Sequence, residues 1–354
     1  MLTDRSDDRA RPTLSALVEL QTGGSKQSNR HEEMRARAGR NWLRRIARDS
    51  KRCGREFLAW WRYEEVSFPT VSQLAESIAA LSACASVAVK AETDVEAPIF
   101  LLSSGMRTGS TLLQRILVTD RRLLLWGEPM EEMGVPSRIA AMLSDSLSPA
   151  ILRVWKEQPS PTSSGLSKSW IAHLDPSPDD FRLALRSMFD RWLGQPARQH
   201  GFSRWGFKAV RLSATDASLL HWLYPNAKFV LLTRHPYECY RSFADAGWED
   251  SFLRYPDLRI NSAASFASCW NRIATSWSEL PVGFPAIRIK YEELLSGTFD
   301  FRKFESWLGL QLQENEALSA SVGATATRAS LRWYERFIVE REARPGMRAL
   351  GYRR

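Results

Sequence analysis

Cysteine is scarce in this chain: four stand in 354 residues, Cys53, Cys84, Cys239 and Cys269, with no C-x-x-C pair. That spacing excludes a zinc knuckle or a disulfide framework as the source of stability, and no metal site is expected. Long apolar runs are also missing. No stretch approaches the roughly 18 uninterrupted apolar residues that a bilayer-spanning helix needs. Residues Met1 to Leu20 contain Asp4, Asp7 and Asp8 and no apolar core segment, unlike a signal peptide, and the same acidic residues are unlike a transit peptide. A cytoplasmic location is therefore the expectation. Internal repeats are absent, and histidine is limited to five residues.

Positive charge is present in excess, and the excess is local. Residues 1–63 hold fifteen Lys and Arg against eight Asp and Glu, a net of +7 out of the whole chain's +9. Residues 1–30 are polar, contain Gly23-Gly24-Ser25, and read as a flexible basic segment. Residues 31–95 read as a helical extension. One helix is predicted from Met34 to Tyr63, with Trp42, Leu43, Ile46, Phe57, Leu58 and Trp61 as its apolar positions, and a second from Val71 to Val89. A basic helix with aromatic residues has the chemistry for peripheral contact with an anionic membrane. Packing on the main domain, with arginines in water, is the commoner fate of such a helix. No nucleic-acid partner is expected. The remaining residues, 96–354, are enough for one domain with a sizeable core.

The richest stretch is residues 98–118, APIFLLSSGMRTGSTLLQRIL. Ile99 to Leu102 are apolar enough for a strand buried on both faces. Ser103 to Ser110 make a Gly/Ser/Thr turn, and Leu112, Leu113, Ile116 and Leu117 then form one apolar face of a helix. Backbone N–H groups at such a helix start, together with its dipole, favour an anion in the turn. A nucleotide-hydrolase loop would read G-x-x-x-x-G-K-[ST]. Here the spacing is Gly105-x-x-x-Gly109-Ser110-Thr111, with Arg107 inside the loop and no lysine. Arginine's planar fork suits a terminal phosphate or sulfonate. The hydroxyls of Thr108, Ser110 and Thr111 add donors.

A second segment, Tyr224 to Phe243, has the same logic. Phe229 to Leu232 read as a buried strand, Arg234 follows at its carboxyl end, and Pro236 is placed to open a helix. Ser242 comes eight residues after Arg234. A charge at a strand end plus a hydroxyl on the next helix makes a second anion pocket, at the sheet edge where open α/β folds bind ligands.

These two segments resemble the 5′-phosphosulfate loop and the 3′-phosphate motif of the sulfotransferases that use 3′-phosphoadenosine 5′-phosphosulfate (PAPS). The first family motif reads approximately P-x-[RK]-[ST]-G-[ST]-[ST], against Gly105-Met106-Arg107-Thr108-Gly109-Ser110-Thr111 here, with Met106 in place of the usual proline. The second is matched by Arg234 and Ser242, with His235 where the family has aspartate. Two further segments follow in the family's order: Trp205-Gly206-Phe207-Lys208 resembles W-G-x-K, and Ile289-Lys290-Tyr291-Glu292-Glu293-Leu294 resembles V-x-Y-E-x-L. The resemblance implies a three-layer α/β domain of the P-loop type with a central parallel sheet, preceded by the helical extension. It implies PAPS as sulfuryl donor, adenosine 3′,5′-bisphosphate as product, and no metal. Gly105 to Thr111, Arg234, Ser242 and Tyr291 would bind the donor. Lys208 would steady the leaving oxygen, and Tyr291 would lie against the adenine.

For the base, the resemblance is to the branch that includes protein-tyrosine and some bacterial sulfotransferases, where a glutamate in a G-E segment takes the acceptor proton. Glu128, in Trp126-Gly127-Glu128-Pro129, is the candidate, with Glu131 and Glu132 in reserve. The cytosolic branch uses histidine instead. His31, His200, His221 and His235 are badly placed for that role, and His173 is the least unfavourable of the five. Residues 144–180, broken by Pro149, Pro159, Pro161, Pro176 and Pro178, read as a loop region on the acceptor side, with Trp155 and Trp170 available to stack on a sugar or aryl group. Residues 252–285 read as helical, with Phe266, Trp270, Ile273 and Trp277 as a core-facing stripe. The tail 323–354 resembles the family's segment that closes over the 3′-phosphate, with Arg328 as its candidate contact. The acceptor is left open among a glycan, a lipid, a peptide tyrosine and a small natural product. A P-loop kinase and a catalytically inactive sulfotransferase-like binding protein are the alternatives.

Overall fold

A computed structural model describes residues 44, 46–61, 69–84, 97–129, 134–146, 178–246, 251–253, 258–313 and 330–352. The chain divides into two compact units, residues 1–58 and 59–354. In the first, residues 46–58 are helical; the expected start of that helix at Met34 lies outside the described residues.

The second unit is built on a five-stranded, all-parallel sheet. Its strands are β1 (Ile99–Ser103), β2 (Leu123–Trp126), β3 (Arg204–Ala209), β4 (Lys228–Thr233) and, at one edge, a strand at Ala286–Lys290. Two shorter strands, β5 (Ser251–Leu253) and β6 (Leu258–Ile260), pair antiparallel apart from the sheet, so the edge strand is β7. The order across the sheet is β2-β3-β1-β4-β7. From β1 the chain moves to the β2 edge and returns through β3, then crosses to β4 and continues outward to β7. The direction reverses between β1 and β4, and a crevice outside the carboxyl ends of these strands is where open α/β sheets take ligands.

Every residue of β1 is buried, as its unbroken apolar run requires for a central strand covered on both faces. On one face Ile99 and Leu101 join Leu112, Leu113, Ile116 and Leu117 of helix α2 (Ser110–Leu117) in one apolar cluster. On the other, Phe100 stands between Phe207 of β3 and Phe229 of β4, with ring centroids 4.8 and 5.3 Å away. The larger cluster on that face includes helices α6 (Ala214–Leu223) and α8 (Ala263–Ser276). Two helical layers thus sandwich the sheet, as the three-layer α/β expectation requires. Gly206 is needed for the close approach of β3 to β1: a Cβ there would lie 1.8 Å from the Ile99 carbonyl oxygen.

Helix α1 (Val71–Cys84), the second predicted N-terminal helix, packs on α3 (Val135–Ser146), α4 (Pro178–Phe189) and α6. Its core positions Leu74 and Leu81 are fully covered. After α4 the chain forms one π turn, Asp190–Gly194, and a short helix α5 (Gln195–Gln199). The Trp126 indole N–H donates to the Leu193 carbonyl in that turn (3.1 Å).

Three boundaries depart from the sequence reading. The stretch 252–285 is not continuously helical, because β5, β6 and the chain before β7 occupy its two ends. Pro256 bars a helix through the first end, and Ser262 starts α8 by accepting the Ser265 N–H (3.1 Å). The stripe Phe266, Trp270, Ile273 and Trp277 is buried as expected. The loop region 144–180 is narrower at both ends: α3 runs through Ser146, and α4 begins at Pro178 with Asp179 and Asp180 in its first turn. Residues 147–177, with Trp155, Trp170 and His173, lie outside the described residues. In the tail, residues 333–349 form helix α11 (Trp333–Ala349), which lies along α8; the Gly346 N–H donates to Asn271 Oδ1 (2.7 Å).

Asp120 fastens the β2 edge. Its carboxylate accepts from the Arg122 guanidinium (2.7 and 3.1 Å) and from the Gln311 N–H (2.8 Å), so the turn before β2 is tied to the chain after helix α10 (Phe301–Leu308). Burial alone would raise its pKa, but these hydrogen bonds and the adjacent guanidinium win and hold it at about 2.

Candidate functional site

Between the end of β1 at Ser103 and the start of α2 at Ser110, the turn is held by its own hydroxyls. The Ser103 and Thr108 hydroxyls both donate to the Gly105 carbonyl (3.2 Å each), and the Ser104 N–H donates to the Leu232 carbonyl of β4 (3.0 Å). Gly109 sits at φ +90°, a left-handed conformation that glycine adopts without strain. Arg107 sits at φ +63°, alone in that region among the described non-glycine residues. An arginine held there costs about 1–3 kcal/mol of backbone strain, which must be repaid by what its position achieves. Its side chain leaves the loop toward α7 (Pro236–Asp245), where Nε donates to the Ser242 hydroxyl (3.0 Å). Ser104, Thr108 and Ser110 are buried and Thr111 is exposed. Met106, in the place of the usual proline, is buried against the core.

The second anion pocket closes onto the first. Arg234, at the end of β4, is 7 % exposed and donates from a terminal guanidinium nitrogen to the Arg107 carbonyl (3.1 Å). His235 caps α7, its Nδ1 accepting from the Tyr237 N–H (3.4 Å), and Pro236 opens the helix as expected. Glu238 stands one turn on, 3.6 Å from Arg234 and bonded to Arg241. The His235 N–H donates to Glu292 (2.8 Å), whose other oxygen accepts from the Tyr352 hydroxyl (3.1 Å). That link fixes the start of α7 against α9 (Tyr291–Ser296).

Tyr291, the first residue of α9, lies between the two motifs. Its ring lies 4.4 Å from the Arg234 guanidinium, and a Cβ on Gly109 would come within 2.2 Å of its edge. Glycine at 109 is therefore required twice, by the backbone angle and by the tyrosine ring. Arg107, Arg234, Ser242, Gly109 and Tyr291 converge at the sheet's reversal point.

On the other side of β1, Glu128 follows β2 and Lys208 lies near the end of β3. Lys208 Nζ lies 2.6 Å from Glu128 Oε1; the lysine is almost covered and the carboxylate about one-third exposed. Next to this pair is an apolar pocket whose walls include Pro129, Phe207, Ala209 and the π-turn residues Trp192 and Leu193. Arg328, Glu131, Glu132, His31 and His173 lie outside the described residues. His200 is exposed at the end of α5, and His221 packs between Phe229 and Phe284, where burial lowers its pKa. Sequence reasoning passed over three groups near the cradle: the Ser104 hydroxyl, which is buried without a hydrogen-bond partner, the capping Glu292, and Arg211. Of these, Glu292 had a signal, the acidic residue following the tyrosine of the Y-E segment.

A three-layer α/β domain with two facing oxyanion pockets at its reversal point, and an acid–lysine pair beside them, is the framework of a group transferase handling a bisphosphorylated donor. The model of the sulfotransferase family matches residues 98–314, and the chain belongs to that family. No curated protein matches. Among solved structures, the sulfotransferase domain of the curacin biosynthetic pathway is 15% identical, with 73% of this chain and 98% of that one covered at a TM-score of 0.42. A sulfotransferase from Alicyclobacillus acidocaldarius is 14% identical, with 72% and 94% covered at 0.38. The sulfotransferase domain of the Synechococcus PCC 7002 olefin synthase is 18% identical, with 70% and 95% covered at 0.35. Family membership rests on the family model and not on these distant likenesses. Among the described residues no helix is long and apolar enough to cross a membrane, and no cluster of His, Cys, Asp and Glu is arranged to hold a metal ion.

Proposed function

We propose that the protein transfers a sulfuryl group from PAPS to an acceptor hydroxyl, leaving adenosine 3′,5′-bisphosphate. The observation that carries this reading is the convergence of Arg107, Ser242 and Arg234 through direct hydrogen bonds of 3.0 and 3.1 Å, which brings two oxyanion pockets to the span of one donor. The cradle suits that donor. Its Ser104 hydroxyl is an orphaned buried group, its Gly109 leaves space no Cβ could share, and its charged lining is arginine.

When bound, the donor supplies the sulfuryl group on its 5′-phosphate. The first-turn N–H groups of α2 and Arg107 would hold that end, while Arg234 and Ser242 would hold the 3′-phosphate. Tyr291 would border the nucleoside. Glu128 would take the proton as the acceptor oxygen bonds to sulfur and the bond from sulfur to the phosphate oxygen breaks. Lys208 has three N–H donors. One on Glu128 leaves two for the oxygens of the transferring and leaving groups, so the ion pair aligns base and leaving-group stabiliser without consuming the lysine.

Thermal unfolding with and without adenosine 3′,5′-bisphosphate tests the reading. A ligand at 100 times its Kd stabilises by about 2.7 kcal/mol. The parent should shift clearly upward, and Arg234→Ala should shift little. Absence of a shift in the parent, or a shift by ATP with magnesium of equal size, would overturn the proposal.

A further inference from the structure

A second cavity adjoins the cradle on its β3 side, bordered by Gly105, Met106, Arg211 and Trp270, with aliphatic, aromatic and thiol side chains completing it. Two donors in this lining have nothing to donate to. Arg211 Nε and Trp270 Nε1 are both shielded from solvent and without a hydrogen-bond partner, and Trp270 is only 1 % exposed. A terminal nitrogen of the same guanidinium lies 3.7 Å from the Met106 sulfur, a weak acceptor. A buried donor left unsatisfied forfeits its hydration with nothing in return, and two in one cavity call for a specific occupant.

The donor–acceptor balance identifies its chemistry. No side chain in the lining carries an oxygen, and the Gly105 carbonyl already accepts from Ser103 and Thr108. A water could accept from Arg211 and Trp270, but its own protons would meet apolar walls. An oxyanion presents acceptors alone and neutralises the arginine. The donor's two phosphate pockets lie on the β4 and β7 side of β1, with Arg107 turned toward Ser242. Arg211 instead follows Lys208 by three residues, within about 10 Å of extended chain, on the side of Glu128. Resting on the sulfotransferase reading above, we infer that Arg211 and Trp270 form a subsite for an oxyanion carried by the acceptor, so that the substrate class is a hydroxyl compound bearing a carboxylate or comparable anionic group.

The probes are 4-hydroxybenzoate and its neutral methyl ester, titrated calorimetrically into the full-length protein, both unliganded and saturated with adenosine 3′,5′-bisphosphate. The carboxylate should bind at least about ten-fold tighter than the ester, the range of a charge-assisted hydrogen bond. Arg211→Met should erase that difference while keeping the bisphosphate-induced rise in melting temperature. Trp270→Phe, which retains an aromatic ring and removes the donor, should narrow it several-fold. Equal affinities, no binding of either probe, or a preference that survives Arg211→Met would overturn the inference. Loss of bisphosphate stabilisation in Arg211→Met would assign the cavity to the donor and overturn it too. If the parent shows no bisphosphate shift, the donor reading fails, while the probe pair in unliganded protein still decides the cavity.

Discussion

The two halves of the site, on either side of β1, are built differently. The donor half is internally bonded: Arg107 to Ser242, Arg234 to the Arg107 carbonyl, Tyr291 over Arg234, and Glu292 on the His235 N–H. The acceptor half contains one ion pair, Glu128 with Lys208, an apolar pocket beside it, and two buried donors without partners. Preorganised polar groups lose little on binding a ligand of fixed shape. Orphaned groups store free energy that only a matching ligand releases. The donor half is thus set for one constant molecule, whereas the acceptor half discriminates by what it leaves unsatisfied.

Separating the halves by mutation gives the sharpest tests. Glu128→Gln keeps an oxygen for Lys208 but cannot take a proton, so turnover should fall by about 10²–10⁴-fold, with bisphosphate stabilisation unchanged. Full activity in this variant would move the base to Glu131, Glu132 or His173. Arg107→Asn tolerates the left-handed backbone better than most replacements and removes the guanidinium. Bisphosphate affinity should drop about 10- to 100-fold, the value of a charged hydrogen bond or two, and calorimetry reads it directly. An unaffected affinity would dissolve the distinction between the halves.

Acid should loosen the acceptor edge through Asp120, whose folded pKa of about 2 lies below its ordinary 3.8. A depressed carboxylate pKa stabilises the fold above the ordinary value, and that contribution, about 2 kcal/mol, is lost as pH falls from about 4 through 2. Denaturant titrations at pH 7 and pH 3 should therefore differ less in Asp120→Asn than in the parent. The smallest effect is expected from Trp126→Phe, which removes the N–H that pins the π turn at Leu193. One lost hydrogen bond, about 1 kcal/mol, should lower the melting temperature by about 2–4 °C and leave the bisphosphate shift intact.

Much of the donor half was legible in sequence because its parts are local. A strand, a glycine turn and a helix are contiguous, and the placement of Arg234, Pro236 and Ser242 follows from strand and helix periodicity. The acceptor half was less legible. Trp270 reads as a core residue on its helix, and it is one; that its indole N–H meets Arg211 in a common cavity depends on α8 crossing the cradle. The strands β5 and β6 were missed because apolar and aromatic residues on either side of Pro256 imitate a helical pattern.

By itself the sequence determined which segments become buried parallel strands, where the two phosphate-binding turns fall, and that arginine rather than lysine lines the first. These are consequences of hydrophobic period and backbone chemistry between close neighbours in the chain. Only the tertiary structure decided that Arg107 turns toward Ser242, that Tyr291 occupies the space above Gly109, and that Lys208 meets Glu128 across 80 residues of chain. Those distances are set by sheet order and by the packing of helices on it, which no local pattern encodes.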